Sequence, residues 1–266
     1  MLYFVATPIG NLKDITHRAI EVLSSVDEIA CEDTRHSITL LSAYGIKKPL
    51  IAYHKFNERE SGEKIIAKLK DGKNIAVISD AGMPVISDPG NVLVNMLIES
   101  GEEYTVIPGA CAFITALVLS GLDSSKFCFL GFLPEKNSER QDLLSKYKSV
   151  SATLIFYSAP HDVKKDIQSL YQGLGNRKAV AVKEITKLHE RVTHFNLEDG
   201  LGEEPRGEYV LLVEGGSEEN PLINLSEKEH INHYINLGYD KKDALKTVAK
   251  ERGVSKSSLY KYTIDD

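Results

Sequence analysis

A two-part α/β protein with a small helical tail is the fold this sequence predicts, and three observations predict it. Strand-like and helix-like segments alternate from the first residues to about residue 121, the pattern of a mostly parallel sheet. Beyond that point several connections are too short for parallel crossovers, so 122–216 reads as a second α/β domain with mixed pairing. From 226 to 266 the pattern is helical alone. The boundary between the first two parts falls near Gly121 to Phe127, at Gly-Leu-Asp-Ser-Ser.

Taken in order, Leu2 to Ala6 is an apolar strand followed by the loop Thr7-Pro8-Ile9-Gly10-Asn11-Leu12. Asp14 or Thr16 can cap a helix whose apolar face is Ile15, Ala19, Val22 and Val26. Glu28 to Cys31 is a second strand, ending in Glu32-Asp33-Thr34-Arg35-His36 and a helix that stops near Gly45. Leu50 to Tyr53 is a third, closed by His54-Lys55-Phe56-Asn57-Glu58, with a charged helix from Glu63 to Leu69 after it. Ile75 to Ile78 then runs into Asp80, Gly82, Pro84, Ser87, Asp88, Pro89 and Gly90, before the apolar-periodic Val92 to Ile98. Strand, polar Gly/Pro loop, helix is the layout in which an α/β sheet binds a small ligand at its carboxyl edge. Asp88-Pro89 also reads as an N-cap followed by proline at the first helical position. Tyr104 to Ile107 and the small-residue helix Ala112 to Leu119 complete the first domain.

In the second domain the expected strands are Phe127 to Phe132, Thr153 to Tyr157, Ala179 to Val182, Arg191 to Phe195 and Tyr209 to Val213. Helices are expected at Glu139 to Tyr147 and Val163 to Leu170, the latter ending around Gly173 and Gly175. The tail divides into Glu227 to Asn236, Lys241 to Arg252 and Ser255 to Tyr260. Between Ser226 and Tyr262 it holds eight Lys/Arg against five Asp/Glu. Val254 to Tyr260 after a helix resembles a helix-turn-helix recognition segment, although a solvated helical cap fits equally well.

Composition bounds the function. With 266 residues, 42% apolar and 26% charged, the chain is an ordinary globular one with room for a large core. A net charge of −6 gives no global attraction to nucleic acid, so RNA contact would need local basic patches. Cys31, Cys111 and Cys128 lack metal-ligand spacing and read as buried free thiols in a reducing cytosol. The start has no basic region and too short an apolar run for a signal peptide or membrane span. The first loop has one glycine, and Pro8 lacks the N–H a phosphate would want, which disfavours a dinucleotide fingerprint. No G-x-x-x-x-G-K-[ST], G-x-S-x-G or paired-histidine helix motif occurs, so no metal site is expected. What remains is a set of strand-end loops rich in small residues, backbone donors and a few charges. That lining suits a nucleoside-like ligand better than a polyphosphate.

Those loops carry a resemblance. TPIGNLKDIT, CEDTRH, AYHKFNE, SDAGMPVISDPG, IPGACA, LIFYSAP, EITKLHE and PRGEYVLLVEG, in this order over roughly residues 1 to 215, resemble the 16S ribosomal RNA cytidine 2′-O-ribose methyltransferases of the tetrapyrrole methylase superfamily. A basic helical C-terminal tail is also seen in that family. Met83 and Val85 stand where DAGTPGISDPG commonly has Thr and Gly. Met83 is expected to alter packing near the cofactor, and Val85 makes φ > 0 uncomfortable.

The resemblance implies two α/β domains with S-adenosyl-L-methionine in the cleft between them, a cytoplasmic homodimer, and 16S rRNA of the 30S subunit as partner. It implies a cofactor lining of Pro8, Asp80, Ala81, Gly82, Ser87, Asp88, Pro108, Gly109, Ala110 and Tyr157, with the turn Arg206-Gly207-Glu208. A ribose 2′-OH is a poor nucleophile, so a general base is sought among Asp33, His54, Glu184 and Glu190. Each has a plainer reading. Asp33 is an N-cap, His54 a core or cap histidine, and Glu190 a surface partner of Lys187. Arg35, Asn57 and Lys187 are the candidate substrate contacts. Two alternatives stand beside this one: C-methylation of a tetrapyrrole precursor, and a non-catalytic RNA-binding module.

Overall fold

A computed structural model of the chain describes residues 1–202, 204–216 and 221–263. The final residues of the expected tail, 264–266, lie outside the described residues. Residues Met1–Ser145 and Ala152–Glu214 form one compact unit that carries two sheets. Lys146–Ser151 groups with Gly215 and the helical residues beyond it in a second unit.

The first sheet holds β1 (Leu2–Val5), β2 (Glu28–Cys31), β3 (Leu50–Ala52), β4 (Ile75–Ile78) and β5 (Tyr104–Ile107) in the order β3-β2-β4-β1-β5. Every neighbouring pair is parallel. The crossovers are α1 (His17–Ser25), α2 (Thr34–Ala43), α3 (Glu58–Lys70) and α4 (Asn91–Ser100). Val5, Ile29 and Ile78 pack with Ala19, Leu23, Leu40 and Leu41 from α1 and α2. Leu2, Phe4 and Val77 pack with Ile65, Leu69, Leu93 and Leu97 from α3 and α4. Burial on both faces is why the inner strands β1, β2 and β4 read as continuous apolar runs rather than alternating ones.

The second sheet holds β6 (Phe127–Phe132), β7 (Thr153–Ser158), β8 (Lys178–Lys183), β9 (Arg191–Asn196) and β10 (Tyr209–Val213) in the order β6-β7-β10-β8-β9. Only β6 and β7 run parallel; the other pairs are antiparallel, as the short connections require. Helix α5 (Ala112–Ser120) lays Ala116 and Leu117 on Ile155, Val180, Val210 and Leu212. Helices α6 (Asn137–Tyr147) and α7 (Val163–Leu174) are tied by a buried ion pair, Arg140 Nη1 to Asp166 Oδ1 at 2.7 Å. Helix α7 ends at Leu174 with Gly175 as its cap, within the expected Gly173–Gly175 stop. Gly173 itself is a helix-packing residue: a Cβ there would lie 2.7 Å from Leu144 Cβ.

Of the two caps the sequence offers for α1, Thr16 is the one used, its hydroxyl accepting from Ala19 N at 3.1 Å. Two other helix starts differ from the sequence reading. Helix α3 begins at Glu58, five residues earlier than expected, because the loop before it folds onto Asn57. His54 N donates to Asn57 Oδ1 at 2.8 Å, and Asn57 Nδ2 donates to Ala52 O at 3.1 Å. Asp88-Pro89 does not start α4; Gly90 caps it at φ +143°.

The second unit contains α8 (Glu227–Asn236), α9 (Lys241–Arg252) and α10 (Lys256–Leu259). A Ser226–Glu229 capping box starts α8. Ile231, Leu245, Val248 and Leu259 form its core. Fully buried His230 is placed between Glu251 and Arg252, with Nε2 2.8 Å from Glu251 and Nδ1 accepting from Arg252 Nε at 3.1 Å.

Candidate active site

Because all strands of the first sheet point the same way, their following loops gather at one edge. The loops after β1 and β4 are zipped together there. Thr7 N donates to Gly82 O at 2.8 Å and Gly82 N returns a bond to Thr7 O at 3.2 Å. The buried Thr7 hydroxyl adds a bond to Ser79 O at 3.2 Å, and Ser79 Oγ donates to Gly82 O at 3.0 Å. Beyond this zipper, Val85 takes φ +76° and Ser87 φ +63°. A β-branched residue in the left-handed region costs on the order of 1–3 kcal/mol, which the surrounding loop must hold in place. The discomfort foreseen at Val85 is therefore present, and the backbone keeps the geometry regardless.

The opposing wall comes from the second sheet. The turn after β8 is also strained, with Glu184 at φ +50° and Thr186 at φ +65°. Glu184 Oε1 accepts from Glu208 N at 2.9 Å and from Lys187 Nζ at 3.1 Å, while Lys187 also reaches Glu208 Oε2 at 2.8 Å. The Glu208 backbone bond leads in holding the Glu184 carboxyl below its ordinary range. A Cβ on Gly207, which has φ +77°, would fall 2.5 Å from Glu184 Oε1. The same turn sits on the first-strand loop: a Cβ on Gly10 would meet Lys187 Cγ at 2.7 Å and Ile185 O at 2.9 Å.

Between these walls lies a cavity of about 440 Å³. Glu32, Asp80, Ala81, Gly82, Ser87 and Asp88 line it from the first sheet, and Phe132, Tyr157, Ser158, Ile185 and Glu208 from the second. Tyr157 and Phe132 meet edge to face with ring centroids 5.5 Å apart, giving one apolar wall. Burial pushes the Tyr157 hydroxyl up to about 12. The opposite wall is acidic. Burial first, then Glu32 and Asp80, push the Asp88 carboxyl up to about 6. Burial and Asp80 raise Glu32 as well, with His54 pulling the other way. These carboxylates repel one another in a partly dehydrated space, so a cationic ligand would be welcome there.

Asp88 has a folded value above its unfolded one, so the empty protein holds the extra proton and gains stability as pH falls from about 6 towards 4. Cation binding favours the ionised form, so affinity should fall up to about tenfold per pH unit below 6. Asp88→Asn should flatten both trends and melt higher than wild type at pH 8. Calorimetric titration and thermal melts between pH 4 and 8 check this; an unchanged pH slope in the variant would remove Asp88 from the account.

Of the expected lining, Asp80, Ala81, Gly82, Ser87, Asp88, Tyr157 and Glu208 do face the cavity. Pro8, Pro108, Gly109, Ala110, Arg206 and Gly207 stand outside it. Gly109 is pressed on the first strand, where a Cβ would lie 2.8 Å from Ala6 Cβ, and Gly207 buttresses Glu184. None of Asp33, His54 and Glu190 lines the cavity. Asp33 caps α2, accepting from Arg35 N at 2.8 Å, and that bond leads in lowering its carboxyl. Glu190 Oε2 accepts from Thr186 N at 2.7 Å and so ties its own turn. His54 is half-buried, and its Nδ1 is buried with no hydrogen-bond partner. Asn57 is committed to its loop and Lys187 to two carboxylates, whereas Arg35 pairs with Asp33 at 3.3 Å yet keeps its side chain 90% exposed. Cys111 is half-buried and lines the cavity, and Cys128 is half-buried too, so only Cys31 is a buried thiol. Met83 lines the cavity directly. Sequence reasoning missed Phe132 of the apolar wall and, above all, Glu32. Glu32 directly follows the last residue of β2, and its neighbour Asp33 has the more familiar capping pattern. Among the described residues, no group of three or more His, Cys, Asp and Glu is placed to hold a metal ion.

The model of the family described as Tetrapyrrole (Corrin/Porphyrin) Methylases matches residues 1–200. The chain belongs to the tetrapyrrole methylase family. Within it, the similar relatives carry the name Ribosomal RNA small subunit methyltransferase I. The Haemophilus influenzae protein is 46% identical, over 98% of this chain and 95% of its own. The Bacillus subtilis protein is 42% identical, over 98% and 92%. Among solved structures, diphthine synthase is similar at a TM-score of 0.64 and 15% identity, covering 80% of this chain and 89% of its own. Uroporphyrin-III-C-methyltransferase from Thermus thermophilus gives 0.56 and 19%, covering 80% and 93%. At such identities these structures speak for the fold alone.

The methyl donor of tetrapyrrole methylases is S-adenosylmethionine, and the cavity's chemistry fits it. The donor carries a sulfonium and an ammonium, for which Asp80 and Asp88 offer counter-charge. The Phe132–Tyr157 wall offers apolar contact, and the volume falls within the range of small-molecule sites.

Proposed function

We propose that this tetrapyrrole methylase transfers a methyl group from S-adenosylmethionine to small-subunit ribosomal RNA, at the ribose 2′-hydroxyl of a cytidine in the 16S chain. The observation that carries this reading is an acid-lined cavity at the strand ends of a chain 39–46% identical, over nearly its whole length, to proteins named for that RNA. When bound, the donor supplies an electrophilic methyl on a positively charged sulfur. The chain's own part is to hold the donor, align the attacking oxygen and accept its proton. Glu32 is the group best placed for that proton. It faces the cavity, and burial raises its carboxyl towards the pH at which a base works well. His54, with its unpartnered Nδ1, is the neighbouring group that pulls the Glu32 carboxyl back down. Asp80 and Asp88 hold the donor, and Arg35 offers a phosphate contact.

The C-methylation of a tetrapyrrole shares the fold and the donor, so the substrate decides between them. Labelled S-adenosylmethionine should transfer its methyl to 30S subunits from cells lacking this protein and not to uroporphyrinogen. Label in the macrocycle with none in RNA would overturn the reading. A non-catalytic RNA-binding module would show no label in either substrate and no stabilisation by the donor.

The working form is a homodimer in the cytoplasm. Val118 on α5 is 76% exposed, and Ile98 of α4 and Val106 of edge strand β5 are also exposed apolar residues. A dimer that covered these side chains would remove apolar surface from water. Val118→Glu should convert a dimer to a monomer in sedimentation with little loss of thermal stability. An unchanged mass would place the interface elsewhere. No helix among the described residues is long and apolar enough to cross a membrane.

A further inference from the structure

We propose that Phe56 is a base-stacking residue for the substrate RNA, receiving a nucleotide near the one being methylated, with Leu188 the apolar contact on the opposite rim. This rests on the ribosomal-RNA reading above and assigns how that RNA is gripped. Each of these side chains is 93% exposed. Neither stands on a loose loop. The Phe56 loop is pinned by Asn57, which bonds His54 N and Ala52 O. The Leu188 turn is closed by Glu190 on Thr186 N at 2.7 Å and seated against Gly10. An aromatic side chain left in water on a hydrogen-bonded loop forgoes burial, which marks a surface prepared for a partner.

The position says which partner. β3 is an edge strand, and its register with β2 (Cys31 beside Ala52) sets the Phe56 loop next to the segment Glu32–Arg35. A path along this edge therefore runs from the cavity past Glu32 and Arg35 to Phe56. Exposed Lys55 supplies positive charge beside Phe56, and Arg35, 90% exposed, adds a guanidinium that is partly answered by Asp33 at 3.3 Å. The Leu188 turn contributes Ile185 to the cavity and covers the loop after β1, so it bounds the mouth from the other side. An exposed flat ring beside Lys55, met edge-on by the His54 imidazole at a centroid distance of 6.2 Å, lacks the contiguous apolar area of a protein interface. It matches the way single-stranded RNA is held, with cations on phosphates and aromatic faces under bases.

The test compares the full-length protein with Phe56→Ala, Phe56→Leu and Phe56→Trp, using 30S subunits as substrate. Donor affinity is read by calorimetry and mass by sedimentation. Loss of one base stack corresponds to about a 5- to 100-fold rise in KM for the RNA in Phe56→Ala, with kcat and donor affinity within about twofold of wild type. Phe56→Trp should restore KM and Phe56→Leu should not; Leu188→Ala should raise KM by a smaller factor. An unchanged KM in Phe56→Ala, beside an active wild type, overturns the stacking role and leaves the ribosomal-RNA reading standing. Full rescue by leucine, or a changed mass with unchanged KM, assigns Phe56 to apolar or protein contact and overturns it too. A wild type that labels no RNA overturns both.

Discussion

Glu32→Gln is expected to slow methyl transfer by about 10²–10⁴-fold at saturating donor, while the protein folds and binds the donor. Glutamine keeps the shape of the side chain and removes its ability to accept a proton. Wild-type single-turnover rates should rise with pH through the raised Glu32 value and then level off, and the variant should lose that limb. Because Glu32 also pushes up Asp88, the variant should lower the pH at which donor affinity begins to fail. Working at saturating donor separates the two titrations. A rate within about tenfold of wild type would leave the alignment of donor and nucleophile as the main source of catalysis.

Asp166→Ala should be the most destabilising single change in the second sheet's helical layer. The side chains of Arg140 and Asp166 are 3% and 5% exposed. Asp166 also accepts from Ser158 Oγ at 2.5 Å, and Arg140 Nε donates to Pro134 O at 2.5 Å. Removing the carboxylate strands a guanidinium away from water, which costs about 3–5 kcal/mol. For a chain of this size that lowers Tm by roughly 8–15 °C. Replacing both partners with apolar residues, as in Arg140→Met with Asp166→Leu, should cost much less, because no charge is left alone. Thermal melts of the single and double variants decide the matter; equal losses would mean that packing rather than charge dominates. Since Ser158 lines the cavity, the single variant should also weaken donor binding.

The strands and the parallel-to-mixed change in sheet character were legible because both leave local marks. Apolar runs such as Ile75–Ile78 signal two buried faces, and connection lengths limit the crossovers. The acidic Gly/Pro loop after β4 was legible for the same reason, since its residue types have few uses elsewhere. The errors come where a residue has two good local roles and tertiary structure selects one. Asp88 before proline has the pattern of a cap, yet burial beside Asp80 and Glu32 turns it towards the cavity. Asn57 in a loop looks free to bind, yet it closes that loop and starts α3. Lys187 looks like a phosphate ligand until Gly207 and β10 bring Glu208 to it across a long sequence separation. Glu32 carries no mark at all until two sheets are set face to face.

The order of the first sheet also bears on how the chain leaves the ribosome. Its opening strand ends between β4 and β5, with Ile75 N donating to Met1 O and Leu2 N to Glu103 O. Residues 2–5 are therefore made well before either partner: one edge waits for residues 75–78 and the other for residues 104–107, the latter roughly 5–20 s later at ordinary translation speeds. Until then Leu-Tyr-Phe-Val keeps at least one open, sticky edge, and nascent-chain chaperones should be found on it.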